Sequence, residues 1–155
     1  MEDWDYKMVI YDKDTKKAVA RTKWQMFEND DGIFEDAAAD VEILNDAYKG
    51  MKLSHLMQSE RLERSRFLGA EKVRSQITNE EGIPIKNYAK TIGADKGEIT
   101  SSFADRFNED GSTKYIPATM ENFKQEMDLS KAHADGTWKP TVYYRANLDP
   151  NALVS

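Results

Sequence analysis

Apolar and polar positions alternate at the two ends of the chain and fall at steps of three and four between them. Tyr6, Met8 and Ile10 alternate with Lys7, Val9 and Tyr11, and Ala18 to Trp24 repeats the period of two after a polar turn over Asp12–Lys17. That spacing predicts a β-hairpin within residues 1–27. From Phe34 the apolar residues Ala37, Val41, Leu44, Tyr48 and Met51 share one side of a helix, and a stripe out of phase with it restarts at Leu53, Leu56 and Met57. The stripe thins from Gln58 to Arg66 and returns as Phe67, Ala70, Val73 and Ile77. Residues 33–77 therefore read as a long helical region, either continuous or broken at Gly50, with an exposed or partner-held polar middle.

Two shorter helices and a strand follow. Pro84 suits the first turn of a helix through Ile85, Tyr88 and Ile92 to Gly93, and Asp95 with Glu98 forms a capping pair for a second helix through Ile99, Phe103 and Phe107. The spacing of Ala89, Gly93 and Ile99 resembles the helix-turn-helix pattern, so residues 84–108 read as such a pair. The resemblance would offer Lys96, Thr100 and Ser101 to a major groove, with Arg64 and Lys86 as phosphate contacts. Thr119 caps a further helix over 118–134, and Thr141–Ala146 within the segment 138–155 reads as a strand added to the hairpin. The expected fold is α+β in one domain, 1–155: a hairpin and a C-terminal strand packed on the long helical region, with the helix pair and one more helix around it.

Charge sharpens this picture. Between Gln25 and Tyr48 there are eight acids and no base, whereas Lys49 to Ile77 holds seven bases and three acids. On one helix, acids toward the start and bases toward the end complement the backbone dipole. The same sorting would let Glu35, Asp36, Asp40, Glu42 and Asp46 of one copy meet Arg61, Arg64 and Arg66 of another. Trp4, Trp138, Tyr143 and Tyr144 would add aromatic contacts. Asp36, Asp40, Glu42 and Asp46 would also serve a DNA-mimicking inhibitor, standing in for phosphates.

Candidate chemistry is sparse. The apolar strand followed by Asp12-Lys13-Asp14-Thr15 resembles the opening motif of haloacid-dehalogenase-type phosphatases, which implies a nucleophilic Asp12, an acid/base Asp14 and a Mg²⁺ ion. It covers eight residues, and the chain lacks the repeated buried strands spaced by helices that such a fold needs. As a calcium loop the same stretch puts lysines where ligands and glycine belong. His55 and His133 are the only histidines, neither with a second ligand at metal spacing, and there is no cysteine. No phosphate loop, nucleophile elbow or dinucleotide fingerprint occurs. No catalytic residue, metal or cofactor is expected, and no apolar run reaches membrane-spanning length.

Taken together, the residues point to a non-enzymatic interaction or assembly protein. With no cysteine, a net charge of −6 and no readable secretory signal, it suits the cytoplasm or an assembly such as a virion. A self-associating phage-type structural or host-takeover protein fits that style. The alternatives are a helix-turn-helix nucleic-acid binder and an acidic DNA mimic.

Overall fold

The computed structural model describes residues 6–49, 53–102 and 106–148. Its described strands form one seven-stranded mixed sheet. In chain order the elements are β1 (Tyr6–Tyr11), β2 (Ala18–Glu28), β3 (Phe34–Ile43), α1 (Leu53–Phe67), β4 (Lys72–Ile77), α2 (Ile83–Ile92), β5 (Glu98–Ser101), β6 (Ile116–Pro117), α3 (Met120–Ala132) and β7 (Val142–Asn147). Across the sheet the order is β1-β2-β3-β4-β7-β5-β6. Neighbours are antiparallel except β3 and β4, which run parallel and are joined through α1.

Side-chain alternation sorts the two faces. Val73, Ile77, Val142, Tyr144 and Ile99 point to one face, where Leu62 of α1, Ile85, Tyr88 and Ile92 of α2, and Phe123 and Met127 of α3 complete a continuous core. The other face carries no described helix and is charged. Trp24 is buried on the helix side of β2, and Tyr6 stacks on it from β1 with ring centroids 5.5 Å apart.

A bulge interrupts β3. Trp24 pairs with Ala39 and Gln25 with Ala38, but Met26 pairs with Asp36, so Ala37 is the extra residue. Such an insertion bends its strand and disturbs pairing on either side. The β3–β4 ladder consists of Glu35 with Lys72 and Asp36 with Val73, and it ends where the bulge begins.

Just before the bulge, Asp36 enters the helix layer. Its Oδ2 accepts from Arg61 Nε at 3.1 Å and from Ser65 Oγ at 2.8 Å, while Arg61 Nη2 donates to the Tyr88 hydroxyl at 3.0 Å. Asp36 and Arg61 are both buried. Burial pushes the Asp36 carboxyl up, against the pull of Arg61 and Ser65. Burial also opposes the Arg61 charge, but Tyr88 and Asp36 outweigh it and the guanidinium stays protonated. One ion pair thus ties β3, α1 and α2 together. Tyr88 in turn stacks on Tyr144 of β7, centroids 4.1 Å apart and planes 13° from parallel. A Cβ at Gly97 would stand 2.6 Å from the Tyr144 hydroxyl oxygen, so the ring fits only because that residue is glycine.

These elements correct the α+β expectation. The first half of the long helical region, from Phe34, is the strand β3, and only Leu53–Phe67 is a long helix. Gly50, the expected break, lies outside the described residues, as do Trp4 and Phe103. The polar middle of α1 is not exposed throughout: Gln58, Arg61 and Ser65 are buried. The second half of the expected helix pair is a turn followed by β5, so there is no helix-turn-helix. The C-terminal strand does not extend the hairpin but inserts between β4 and β5.

At the hairpin turn, Asp12 is a structural acceptor. Its Oδ1 takes the backbone N–H groups of Asp14 and Thr15, each at 2.8 Å, and its Oδ2 takes the Tyr48 hydroxyl from the segment leading to α1. The Tyr48 hydrogen bond first, then the backbone donors, lower Asp12 from its ordinary 3.8 to about 2. A phosphatase nucleophile needs a free carboxylate oxygen facing a metal, and here both are engaged, Oδ1 within the turn and Oδ2 by Tyr48.

Three outcomes follow from these contacts. Arg61→Met should destabilise the protein by about 3–5 kcal/mol in urea unfolding, because it strands a buried carboxylate, and adding Asp36→Asn should recover part of the loss. Gly97→Ala should cost roughly 1–3 kcal/mol and alter the near-ultraviolet circular dichroism of the stacked tyrosines. A depressed folded-state pKa means that the Asp12 tether is fully present above the unfolded value near 4 and is lost as pH falls through about 2. Carboxyl-carbon NMR should give an Asp12 midpoint near 2, and Tyr48→Phe should move it up toward 3.8.

Candidate active site

Where a parallel pair stops sharing hydrogen bonds inside a sheet, two backbone edges face each other across a gap. Here the gap opens between β3 beyond Asp36 and β4 beyond Val73. Its edges offer peptide N–H and C=O groups that a flat, continuous sheet would have paired, so an extended amide-bearing ligand can lie between them as an added strand. Parallel strands also collect ligands beyond their C-terminal ends, where the chain leaves one strand for a helix and returns in the next.

Three clefts border this wedge. At its vertex a space of about 230 Å³ is lined by Phe27, Ala37, Arg74, Gln76, Tyr115 and Tyr143, with Ser75 and Tyr144 completing it. Beyond the end of β3, a second of about 270 Å³ lies beside the start of α1, between Tyr48, Lys49, Ser54, His55, Asn87 and Lys90. The first turn of α1 contains no acid, Asn87 Nδ2 donates to Ser54 Oγ at 3.4 Å, and the buried His55 Nδ1 has no hydrogen-bond partner. A helix start flanked by two lysines is electrostatically suited to phosphate. The third cleft, about 520 Å³, lies on the helix-free face over β4, β7 and β5, and shares Arg74 and Tyr115 with the vertex.

The residues singled out in the sequence scatter across this framework. Glu35 is buried and accepts from Arg74 Nε at 3.0 Å on the helix-free face, whereas Asp36 points into the helix layer with Arg61. Glu42 pairs with Arg21 at 2.6 Å, Asp46 with Lys49 at 3.0 Å and Arg66 with Glu63 at 3.0 Å, all within the chain. Asp40 and Arg64 are exposed. The acid-half and base-half rod does not exist, because its acid half is a strand. Asp36, wholly buried, has no surface from which to imitate a phosphate.

Lys96 lies in the turn before β5 and lines the third cleft, Thr100 and Ser101 are buried in β5, and Lys86 is exposed on α2. None sits on a recognition helix. Tyr143 and Tyr144 line the vertex, while Trp138 is half-buried in the loop before β7. His133 is the C-cap of α3. The gap, Lys49, Lys90, Lys72 and Tyr88 were missed. The Asp46–Lys49 turn between the end of β3 and α1 was the one local signal that could have marked the site, had β3 been read as a strand.

No family model matches the sequence, and no curated protein matches it. Solved structures do match in fold. A chimera of the Vibrio cholerae spermidine N-acetyltransferase SpeG with hSSAT superposes with a TM-score of 0.53 at 10% identity, over 92% of this chain and 66% of that one. An N-acetyltransferase from Staphylococcus aureus gives 0.53 at 9% identity, over 92% and 67%. A GNAT superfamily phosphinothricin acetyltransferase from Sinorhizobium meliloti, in complex with AcCoA, gives 0.50 at 13% identity, over 91% and 60%. The chain thus spans about two thirds of the length of these structures. These matches overturn the expectation of a non-enzymatic assembly protein or a helix-turn-helix binder: the chain has the fold of the GNAT N-acetyltransferases.

Proposed function

We propose that this chain transfers an acyl group, acetyl above all, from a coenzyme A thioester to an amine. The observation that carries the reading is the parallel pair β3/β4, which parts after two residue pairs at a bulge, in a sheet shared with acetyltransferases. The residues fit the donor. The free edges of β3 and β4 can hold its amide-bearing arm, and Lys49, Lys90 and Ser54 at the start of α1 can hold its phosphates. When bound, the thioester supplies the acyl carbon: the amine nitrogen forms the C–N bond as the C–S bond breaks, and the amine proton goes to the leaving sulfur.

The chain's own contribution is placement and a proton. Arg61 donates to the Tyr88 oxygen, which leaves the Tyr88 O–H able to donate in turn, next to the Tyr144 ring that borders the vertex. Tyr88 is the candidate relay for that proton: its O–H would protonate the departing sulfur and its oxygen would recover the proton the amine loses, so the net transfer is from nitrogen to sulfur. Asp36 acts through Arg61 and is a positioning residue.

Thermal unfolding tests the donor. At a hundredfold excess over Kd, acetyl-CoA should stabilise by about 2.7 kcal/mol and raise Tm by roughly 5–10 °C. Lys49→Glu with Lys90→Glu should remove most of that rise. Tyr88→Phe should keep it while slowing thiol release about a hundredfold or more. No shift with acetyl-CoA, and no thiol release with any amine, would sink the reading.

A further inference from the structure

The third cleft is cationic in a protein whose net charge is −6. Its charged lining is Lys72, Arg74, Lys96 and Arg145 against Glu35 and Glu98. Arg74 and Arg145 stand directly opposite each other across the β4–β7 ladder, an arrangement that like charges disfavour. The two guanidiniums are drawn apart. Arg74 turns to Glu35 at 3.0 Å and lies over the Phe27 ring at 5.7 Å, while Arg145 turns to Glu98 at 3.5 Å and lies over the Tyr115 ring at 3.7 Å.

Both acids are therefore engaged, and the floor between the arginines is left open. Lys72 and Lys96 make no ion pair among the described residues, so the cleft keeps two uncompensated positive charges. Ser112, Thr113 and Asn147 add hydroxyl and amide donors around them. Arg74 and Tyr115 belong to both this cleft and the vertex of the wedge, so a ligand anchored here reaches the gap without crossing the helix layer. A polycation would meet like charge at every free group.

We propose that this cleft binds the acceptor, and that the acceptor is a small amine whose other end carries a carboxylate or phosphate, held between Lys72 and Lys96. The proposal rests on the acyl-transfer reading for the word acceptor, but the anion site stands on its own lining. The amine then points past Arg74 and Tyr115 toward the vertex. It follows that a polyamine such as spermidine is a poor ligand for this chain.

The test is an NMR titration of the isotope-labelled full chain, with and without coenzyme A, using L-glutamate, O-phosphoethanolamine and spermidine as probes. The expected result is shifts at Lys72, Lys96, Thr113 and Asn147 with one or both anionic amines, weakened by added salt, and none there with spermidine. Which anionic probe binds tighter distinguishes a carboxylate from a phosphate terminus. Lys72→Glu with Lys96→Glu, two surface changes, should weaken the anionic probes by roughly tenfold or more and turn the preference toward spermidine. Tighter binding of spermidine by the unaltered chain, no shift with either anionic amine in either condition, or equal affinities in the doubly reversed variant would each overturn the proposal. Failure of coenzyme A to bind strikes the acyl-transfer reading instead, because the cleft residues report the anion independently.

Discussion

The buried pair between Asp36 and Arg61 is the contact on which the arrangement turns. A carboxylate and a guanidinium out of water tolerate one another only when the geometry is good and the remaining donors and acceptors are met. Ser65, from the same helix as Arg61, and Tyr88, from α2, meet part of that need, and Asp36 Oδ1 is buried with no partner among the described residues. The pair therefore fixes where α1 and α2 sit relative to β3, at the residue where β3 still pairs with β4 and one step before the bulge. From Tyr88 the constraint passes by ring stacking to Tyr144 on β7, and Tyr144 has room only because Gly97 has no side chain.

That constraint lets a gap exist inside a stable sheet. Edges of strands ordinarily invite pairing, and two facing edges would close on each other if nothing held them apart. The bulge bends β3, and the helix layer holds the bent strand through Asp36. The proposed function rests on the same feature. The apolar side of the sheet is occupied by three helices, the gap presents free peptide groups, phosphate-compatible lysines lie beyond its C-terminal end, and a cationic cleft flanks its vertex. Donor and acceptor would approach the vertex from different directions, which an amide-forming transfer requires.

The two ion pairs on the helix-free face do a different job from the buried one. Arg145–Glu98 is exposed at both ends and contributes little to stability by itself, whereas Arg74, exposed, compensates the buried Glu35 carboxylate. Their effect is geometric: they resolve a like-charge confrontation between neighbouring strands and decide which cations on that face remain free.

Local chemistry in the sequence marked several elements. The alternation of Tyr6–Trp24 around an Asp-rich turn, proline at the start of α2 with glycine after it, and Thr119 before the Met120–Phe123–Met127 stripe all describe interactions within a few residues, and such signals do not need the rest of the chain. The reading went astray where tertiary partners overruled the local pattern. In β3 the extra residue Ala37 breaks the period of two, Glu35 and Asp36 are acids buried side by side, and the alanines favour a helix, so a strand presents itself as an acidic amphipathic helix. Arg74 and Arg61, 39 and 25 residues away along the chain, supply the positive charges that make those acids tolerable in a sheet. The same holds after Gly93, where a capping pair suggested a helix and pairing with β6 and β7 made a strand. The sequence alone determined composition, net charge, turns and helix caps, because those are set by neighbours along the chain. Only the tertiary structure decided which charges are buried, which strands pair and where the sheet opens, because each of those depends on groups brought together from distant parts of it.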